Sequence, residues 1–321
     1  MIRNGLGTAA EGVYPVAGRL RMARHLVASM RPDHWVKNLF VLAPLLFSRK
    51  LTDPAAVAQT AIAFLTFCLV ASAVYLFNDV LDAAADRSHP EKRFRSVAAG
   101  DLSVRAALGA CAVLLGVSVP LALAVDWLLL AVAALYGVLN LGYSLLFKKW
   151  IVVDAMVIAA SFVLRVVGGA VAVGVAPSHW LIMCAFLLCL YLAFSKRRQE
   201  LVVLDRSASQ HRQVLGQYTV AYLDSVNNIL LGASLVSYAL YTVAPETVAR
   251  FGTDRLIYGT AFVVYGLLRY MALIQTSTHG GDPGRLVLRD KPLLAAVVGW
   301  GVYNFAVIYH PALVAFWRQL P

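Results

Sequence analysis

Three aspartates with helical spacing lie in the stretch NDVLDAAADRSHPEKRFRSVAAG, residues 78 to 100. Asp79, Asp82 and Asp86 are three and four residues apart, so a helix continued through them would place all three within about 60° of one face. Like charges at this distance repel each other and need a counter-charge. A hard cation with oxygen ligands, Mg²⁺ above all, meets that need, especially one that also holds a diphosphate.

Basic side chains follow these aspartates directly. Lys92, Arg93 and Arg95 are placed to contact phosphate oxygens that a metal leaves free, the arginines through a two-pronged guanidinium. The alternative is a solvated loop whose acids and bases pair with each other at little net gain. The position at the end of an apolar segment favours the metal and diphosphate interpretation.

The composition indicates a membrane protein. Hydrophobic residues make up 60% of the chain and charged residues only 14%, too few to cover a water-soluble surface. The net charge of +11 does not indicate nucleic-acid binding, because the basic residues lie between long apolar runs instead of forming a stripe on a polar surface. The four cysteines fall inside apolar runs and have neither disulfide nor metal-site spacing.

Apolar segments long enough to cross a bilayer recur along the chain. They predict an all-α integral membrane protein with about nine transmembrane helices in a helical bundle. The predicted segments are 36–48 (short), 55–77, 104–125, 127–147, 151–174, 179–195, 222–244, 256–275 and 292–317. We expect a loose tail over residues 1–18 and a single transmembrane catalytic domain over 19–321.

The basic residues predict the orientation. Of the 28 lysines and arginines, 21 precede or open the first segment or lie around the connections after the second, fourth, sixth and eighth segments, and five lie on the other side. The positive-inside rule then places the amino terminus and these loops in the cytoplasm, and the odd number of segments leaves the carboxyl terminus outside. The acidic clusters share the cytoplasmic side, where we expect the active site.

These motifs resemble the UbiA-type intramembrane prenyltransferases, whose first aspartate-rich motif is N-D-x-x-D-x-x-x-D. Within that superfamily the chain is most similar to the decaprenyl-phosphate phosphoribosyltransferase branch. The resemblance rests on RPDHWVKN (31–38), DRSHPEKRFR (86–95) with the following AAG, YSLLFKKWIVVD (143–154), SKRRQEL (195–201) and RDKPL (289–293).

The resemblance implies an Mg²⁺-dependent transfer of a 5-phosphoribosyl group from phosphoribosyl pyrophosphate to a polyprenyl phosphate, with release of pyrophosphate. It implies a bacterial-type inner membrane and a role in cell-wall biosynthesis. Asp79, Asp82 and Asp86 would hold the metal, and Asn78 would orient a carboxylate or bind the ribose. The predicted substrate-binding residues are Lys37, Arg93, Arg95, Tyr143, Lys148, Arg165, Lys196, Arg197 and Glu200.

The chain departs from the superfamily pattern after the sixth segment. Many members carry a second D-x-x-x-D motif there, whereas this chain has SKRRQELVVLD, with Glu200 and Asp205 five residues apart. Carboxylates five apart point about 140° from each other on a helix and cannot share one ion without a break in the helix. The basic run at Lys196 instead suits a second anionic substrate group. In addition, Ser96 stands where the branch usually has proline.

Two other functions stay open from the sequence. One is prenylation of an aromatic or quinone precursor by a prenyl diphosphate, which needs the same metal site but a different acceptor pocket. The other is a transporter, which the clustering of carboxylates at one membrane face disfavours. Arg165, deep in the fifth segment, either serves the substrate cavity or pairs with another helix. Small residues such as Gly168 and Gly169 permit close helix packing within the chain or in a homo-oligomer.

Overall fold

The computed structural model describes residues 14–89, 92–204, 213–276 and 283–317 of the chain. Over these residues the chain forms helices and connecting turns with no β-strand, which confirms the predicted all-α class. The α-helices of this part are α1 (Tyr14–Met30), α2 (Ala43–Phe47), α3 (Pro54–Leu81), α4 (Ala83–Arg87), α5 (Ser96–Ala99), α6 (Val104–Leu123), α7 (Trp127–Leu145), α8 (Val153–Val173), α9 (His179–Leu204), α10 (Val220–Val243), α11 (Pro245–Phe251), α12 (Thr260–Thr276), α13 (Pro283–Arg289) and α14 (Lys291–Trp317).

Eight helices of the described residues are long and apolar enough to cross a membrane. They are α3, α6, α7, α8, α9, α10, α12 with its preceding 3₁₀ turn, and α14. Each coincides with one of the predicted segments from the second onward. The largest difference is that α9 continues to Leu204, because the basic run after residue 195 ends the apolar pattern without opposing helix formation. The chain is therefore a multi-pass membrane protein.

The first predicted segment, 36–48, differs from the structure. Residues Pro32–Leu42 form a 3₁₀ helix, and only Ala43–Phe47 are α-helical. The sequence gives no strong signal for this change, because a 3₁₀ run of this length is uncommon. At rises of about 2 Å per 3₁₀ residue and about 1.5 Å per α residue, the two pieces together extend about 30 Å. The predicted count of nine transmembrane α-helices is thus eight in the described residues.

Two compact units make up the structure. The first contains the described residues up to Trp35 together with Phe67–Pro120, and the second contains Val36–Thr66 and the described residues from Leu121 onward. Residues 14–18 belong to α1, so this part of the predicted loose tail is helical. Residues 1–13 of that tail lie outside the described residues. The single catalytic domain over 19–321 stays a prediction.

The first unit has an apolar core beneath the aspartate motif. The last turns of α3 contribute Leu76, and the short helices α4 and α5 contribute Ala83 and Val97. Leu26 and Met30 of α1 pack against this core. The connection between α3 and α6 is therefore held as a packed layer, not as a loose loop, which fixes the backbone of the aspartates.

The second unit is built around α9, which packs against α8 and α10, while α8 also packs against α7. Its largest core contains Tyr191, Phe194 and Leu223. On α8, Gly169 lies so close to the segment before α2 that an added Cβ would stand 2.0 Å from the carbonyl oxygen of Val41. This small residue is therefore used for packing within the chain.

Candidate active site

The predicted aspartates lie at the end of α3 and in α4. Asp79 is in the last turn of α3, Asp82 is the residue before α4, and Asp86 is within α4. The amide of Asp82 donates to the carbonyl of Asn78, and the amide of Asp86 donates to the carbonyl of Asp82. These four-residue hydrogen bonds preserve helical spacing across the junction, as the sequence pattern predicts. Asp79 and Asp86 are both buried.

Two arginines neutralise these buried carboxylates. Arg31 donates from Nη2 to Asp79 Oδ1 at 2.6 Å. Arg95 donates from Nη1 to Asp86 Oδ2 at 2.7 Å and lies 3.6 Å from Asp79 Oδ1, so its guanidinium bridges the two aspartates. Asp79 and Asp86 are thus both paired with arginine side chains. Arg31 was not among the predicted site residues, although it opens the RPDHWVKN stretch.

The backbone of Arg31 has an uncommon conformation. Its φ is 53°, in the left-handed region that residues with a side chain rarely adopt. This residue directly follows Met30, the last residue of α1, and the proline after it disfavours a helical conformation at the position before the proline. The turn directs the guanidinium to Asp79, while Tyr75 lies 5.0 Å beneath the guanidinium carbon.

The donor set around the aspartates suits a hard cation. Besides the carboxylates, the amide oxygen Oδ1 of Asn78 is buried and has no hydrogen-bond partner among the described residues. A buried carbonyl oxygen beside carboxylates is a ligand that Mg²⁺ prefers. In the part of the chain that the structure describes, however, no three His, Cys, Asp or Glu side chains converge closely enough to hold a metal. The residue types therefore fit a magnesium ion. The carboxylates do not converge on one point, because Asp79 and Asp86 are paired with Arg31 and Arg95.

The remaining predicted residue of the first unit, Arg93, lies in the short 3₁₀ turn Lys92–Phe94 that follows the aspartates. Its guanidinium stacks on Phe94 at 4.8 Å, and Phe94 is itself exposed. Both residues belong to the turn between α4 and α5. The side chain is thus held at the surface by a ring contact, in reach of solvent and of an anionic ligand.

In the second unit a buried ion pair joins α8 and α9. Arg197 is 1% exposed and Asp154 is fully buried, and Arg197 Nε donates to Asp154 Oδ2 at 2.7 Å. Arg197 also contacts Glu200 at 3.2 Å and the hydroxyl of Tyr143 at 3.4 Å. Such a pair is costly to break, because it would leave a charge buried without a partner. Arg197 therefore joins α8 and α9, and its predicted role in substrate binding stays a prediction.

The basic run SKRR is divided between different partners. Arg198 donates to Asp224 at 2.6 Å and to the carbonyl of Ile274 at 3.1 Å. Lys196 is 39% exposed and lies 4.0 Å from Glu200. Of the three consecutive basic residues, Lys196 is the one that extends to the surface. The sequence did not predict that these three residues have different partners, because their positions along one helix do not show which other segments pack against each of them.

Tyr218 and Val152 complete this network. The Tyr218 hydroxyl donates to Asp154 Oδ1 at 2.9 Å and accepts from the amide of Val152 at 2.7 Å. Burial raises the pKa of the Tyr218 phenol far above its usual range, and the nearby Asp154 carboxylate adds to the effect. The phenol is therefore protonated at neutral pH and able to donate. No sequence signal marked Tyr218, because it is one aromatic residue among 14 tyrosines.

Predicted residues Lys148 and Lys37 lie in 3₁₀ segments of the second unit. Lys148 belongs to the turn Phe147–Lys149 between α7 and α8, and Lys37 belongs to Pro32–Leu42. Both side chains are partly buried and make polar contacts within the chain. Both residues belong to the stretches RPDHWVKN and YSLLFKKWIVVD, on which the family resemblance rests.

Arg165 pairs with other segments of its own unit. It is 4% exposed, and its guanidinium donates to Asn38 at 2.6 Å, to Tyr136 at 2.8 Å and to Ser161. The rings of Tyr136 and Phe162 lie 4.5 and 4.9 Å from its central carbon. Of the two roles that the sequence left open, this geometry favours structural pairing. Neutral acceptors and aromatic faces satisfy this intramembrane charge.

Comparisons with known proteins agree with this fold and motif set. A family model described as the UbiA prenyltransferase family matches residues 39–286. The chain is 36% identical over 286 residues to a decaprenyl-phosphate phosphoribosyltransferase of Corynebacterium glutamicum, covering 87% of this chain and 85% of that one. It is 32% identical over 317 residues to a protein of the same name from Mycolicibacterium smegmatis, covering 94% and 98%. A solved UbiA homologue from Archaeoglobus fulgidus, bound to GPP and Mg²⁺, has a TM-score of 0.67 at 19% identity, covering 88% and 99%.

Proposed function

Because this chain belongs to the UbiA prenyltransferase family, we propose that it transfers a 5-phosphoribosyl group from phosphoribosyl pyrophosphate to a polyprenyl phosphate. The observation with most weight is the similarity to two decaprenyl-phosphate phosphoribosyltransferases over at least 85% of each protein. The reaction would be carried out by a membrane-embedded transferase, whose described residues contain eight helices long and apolar enough to cross a membrane.

The aspartates and Asn78 would hold Mg²⁺, as the bound ion in the solved UbiA homologue suggests. When bound, the ion would stabilise the negative charge that collects on the departing pyrophosphate. Arg31 and Arg95 now neutralise the same carboxylates, so they would become available to phosphate oxygens once those carboxylates have another counter-charge. The planar guanidinium of arginine can form paired hydrogen bonds either to a carboxylate or to a phosphate group.

No general base is required for this reaction. The acceptor phosphate is already an anion at neutral pH, so it needs no proton removed before it attacks the anomeric carbon. Asp154, the buried carboxylate of the second unit, is accordingly not used as a base in this proposal. Both of its oxygens accept hydrogen bonds, one from Arg197 and one from Tyr218. Positioning and electrostatics would therefore supply most of the rate acceleration.

The basic residues near the ends of α7 and α9 would bind the substrate phosphate groups. We assign this role to Lys148 and Lys196, with Lys37 and Arg93 as further cationic contacts. Tyr143 and Glu200 would orient them, since both contact the buried Arg197. The cytoplasmic face of a bacterial inner membrane is the proposed location, following the distribution of lysine and arginine.

The proposed function can be tested with purified protein and phosphoribosyl pyrophosphate labelled in the ribose. With Mg²⁺ and a polyprenyl phosphate, label should enter the lipid fraction, and a chelator should prevent it. A parallel reaction receives a prenyl diphosphate and an aromatic acceptor. Prenylated aromatic product without labelled lipid would replace the proposal with the aromatic prenyltransferase alternative.

A further inference from the structure

A strained turn connects Lys148, which was predicted to bind phosphate, to α8. Val152 has φ of 67° and ψ of −48°, and the amide of Val153 donates to the carbonyl of Ile151 at 2.7 Å. These angles and the hydrogen bond spanning three residues describe a γ-turn of the rare, strained type. The strain is greater for valine than for most residues, because its branched Cβ is unfavourable at positive φ. Outliers of this kind persist only where the surroundings enforce them.

The hydroxyl of Tyr218 enforces this turn. It accepts the amide proton of Val152 at 2.7 Å and donates to Asp154, two residues later, at 2.9 Å, so it ties the turn residue to the start of α8. Asp154 is fixed in turn by Arg197. The ring of Tyr218 is held separately, edge-on to Phe194 at 6.1 Å between centroids. Ring packing and hydroxyl function can therefore be separated by mutation.

The turn positions the residues before it. Its amino-terminal side is the 3₁₀ turn Phe147–Lys149, which contains Lys148, and the amide of Trp150 donates back to Phe147. Tyr143, one helical turn earlier, is joined to the same network through Arg197. A relaxed turn at Val152 would change the direction in which the chain leaves Lys149 and would shift Lys148 relative to α8.

We propose that Tyr218 is a positioning residue for phosphate recognition, whose hydroxyl holds Val152 in the γ-turn and thereby fixes Lys148 and Tyr143 toward a substrate phosphate. This inference rests on the proposed phosphoribosyl transfer. The phosphate belongs either to phosphoribosyl pyrophosphate or to the polyprenyl phosphate, which share the same anionic chemistry. The substrate whose KM changes in the variants below is the one whose phosphate Lys148 and Tyr143 bind.

Tyr218→Phe is the first variant. It keeps the ring and removes the hydroxyl, so we expect the KM for one phosphate substrate to rise about tenfold with kcat changed less than about twofold. Tyr222→Phe is the matched control, because it removes a hydroxyl from the neighbouring stacked ring, whose hydroxyl makes no contact with this turn among the described hydrogen bonds. It should leave both KM values unchanged.

A second substitution tests whether the hydroxyl acts through the backbone. Glycine adopts positive φ without steric cost, so Val152→Gly in the Tyr218→Phe protein should restore most of the lost affinity. Val152→Ala in the same background is the control for lost packing, because alanine also removes the valine methyl groups but keeps the Cβ. It should not restore KM. A structural role alone predicts no difference between glycine and alanine.

The outcomes separate the inference from the proposed function. If the wild-type protein transfers no label to lipid, the proposed function is wrong. If it does, and Tyr218→Phe keeps both wild-type KM values, the positioning role is wrong. Should Tyr218→Phe fail to fold in size-exclusion and thermal-unfolding measurements, the glycine double variant decides: folded protein with wild-type KM supports the inference, and unfolded protein overturns it.

Discussion

Arg31 and Arg95 illustrate how individual side chains balance charge at the active site. Each forms a short ion pair with a buried aspartate, at 2.6 and 2.7 Å. A buried carboxylate without a partner would be strongly destabilising, so the protein needs these cations whenever no metal is present. In the proposed function, the same residues would contact phosphate once a metal took over the carboxylates. The aspartate motif and its arginines are thus two parts of one electrostatic unit.

Asp82→Asn tests this residue-scale account. The substitution preserves size and removes one of the negative charges available to the metal, so we expect phosphoribosyl transfer to fall about 100-fold or more while the fold is retained. Initial rates measured over a range of Mg²⁺ concentrations, together with thermal unfolding, provide the measurement.

The control for this prediction is Glu246→Gln, which neutralises an exposed carboxylate in α11, away from the motif in sequence. It should have wild-type activity. An Asp82→Asn protein with full activity at low Mg²⁺ concentration would contradict the metal-binding role.

At the scale of elements, the packing of α8 against the segment before α2 is the most constrained contact. Gly169 allows the backbone of Val41 to approach α8, and Arg165 on the same helix binds Asn38 of that segment. Close backbone contact at a small residue is a usual way for membrane helices to associate, since lipid provides no hydrophobic driving force between them. Lys50 adds a third contact at 2.9 Å to the carbonyl of Val173 at the end of α8.

Gly169→Ala should therefore destabilise the protein severely. The added Cβ would lie 2.0 Å from a carbonyl oxygen, and backbone must move to accept it, at a cost of about 3 kcal/mol in the free energy of unfolding. Gly232→Ala in α10 is the matched control, because nothing lies within 4 Å of its added Cβ. It should stabilise by up to about 1 kcal/mol through helix propensity. Thermal unfolding in detergent compares the two, and equal midpoints would contradict the predicted close contact.

At the scale of the whole molecule, the described residues contain eight helices long and apolar enough to cross a membrane, and residues 32–53 lead into the first of them. Arg31 is bonded to Asp79 at the end of α3, whereas α3 begins at Pro54 and is about 42 Å long at about 1.5 Å per residue. Residues 32–53 therefore run from one end of α3 to the other. The 3₁₀ helix Pro32–Leu42 covers about 22 Å of this length, because each of its residues rises by about 2 Å.

Cysteine labelling tests the resulting topology. In a background with the four native cysteines replaced by alanine, Ser103→Cys lies before α6 on the predicted cytoplasmic side, and Glu246→Cys lies in α11 on the opposite side. A membrane-impermeant maleimide should label Glu246→Cys in intact cells and Ser103→Cys only after disruption. The reverse pattern would contradict the positive-inside assignment.

The sequence by itself determined the features that depend on local composition. Long apolar runs predicted all eight spanning helices, because a bilayer requires continuous hydrophobic helices of about 20 residues. The N-D-x-x-D-x-x-x-D spacing located the aspartates at the end of α3 and kept their helical register. The same motifs indicated the family that the comparisons confirm.

Only the tertiary structure decided which of the charged residues are paired and with whom. Consecutive arginines of SKRR look equivalent in the sequence, yet Arg197 is buried against Asp154 and Arg198 binds Asp224. Arg31 meets Asp79 across 48 positions, and Tyr218 reaches Val152 across 66. Local patterns describe spacing along one helix, whereas ion pairs and hydrogen bonds between helices depend on how distant segments pack. The strained turn at Val152 follows from such a distant contact and has no sequence signature of its own.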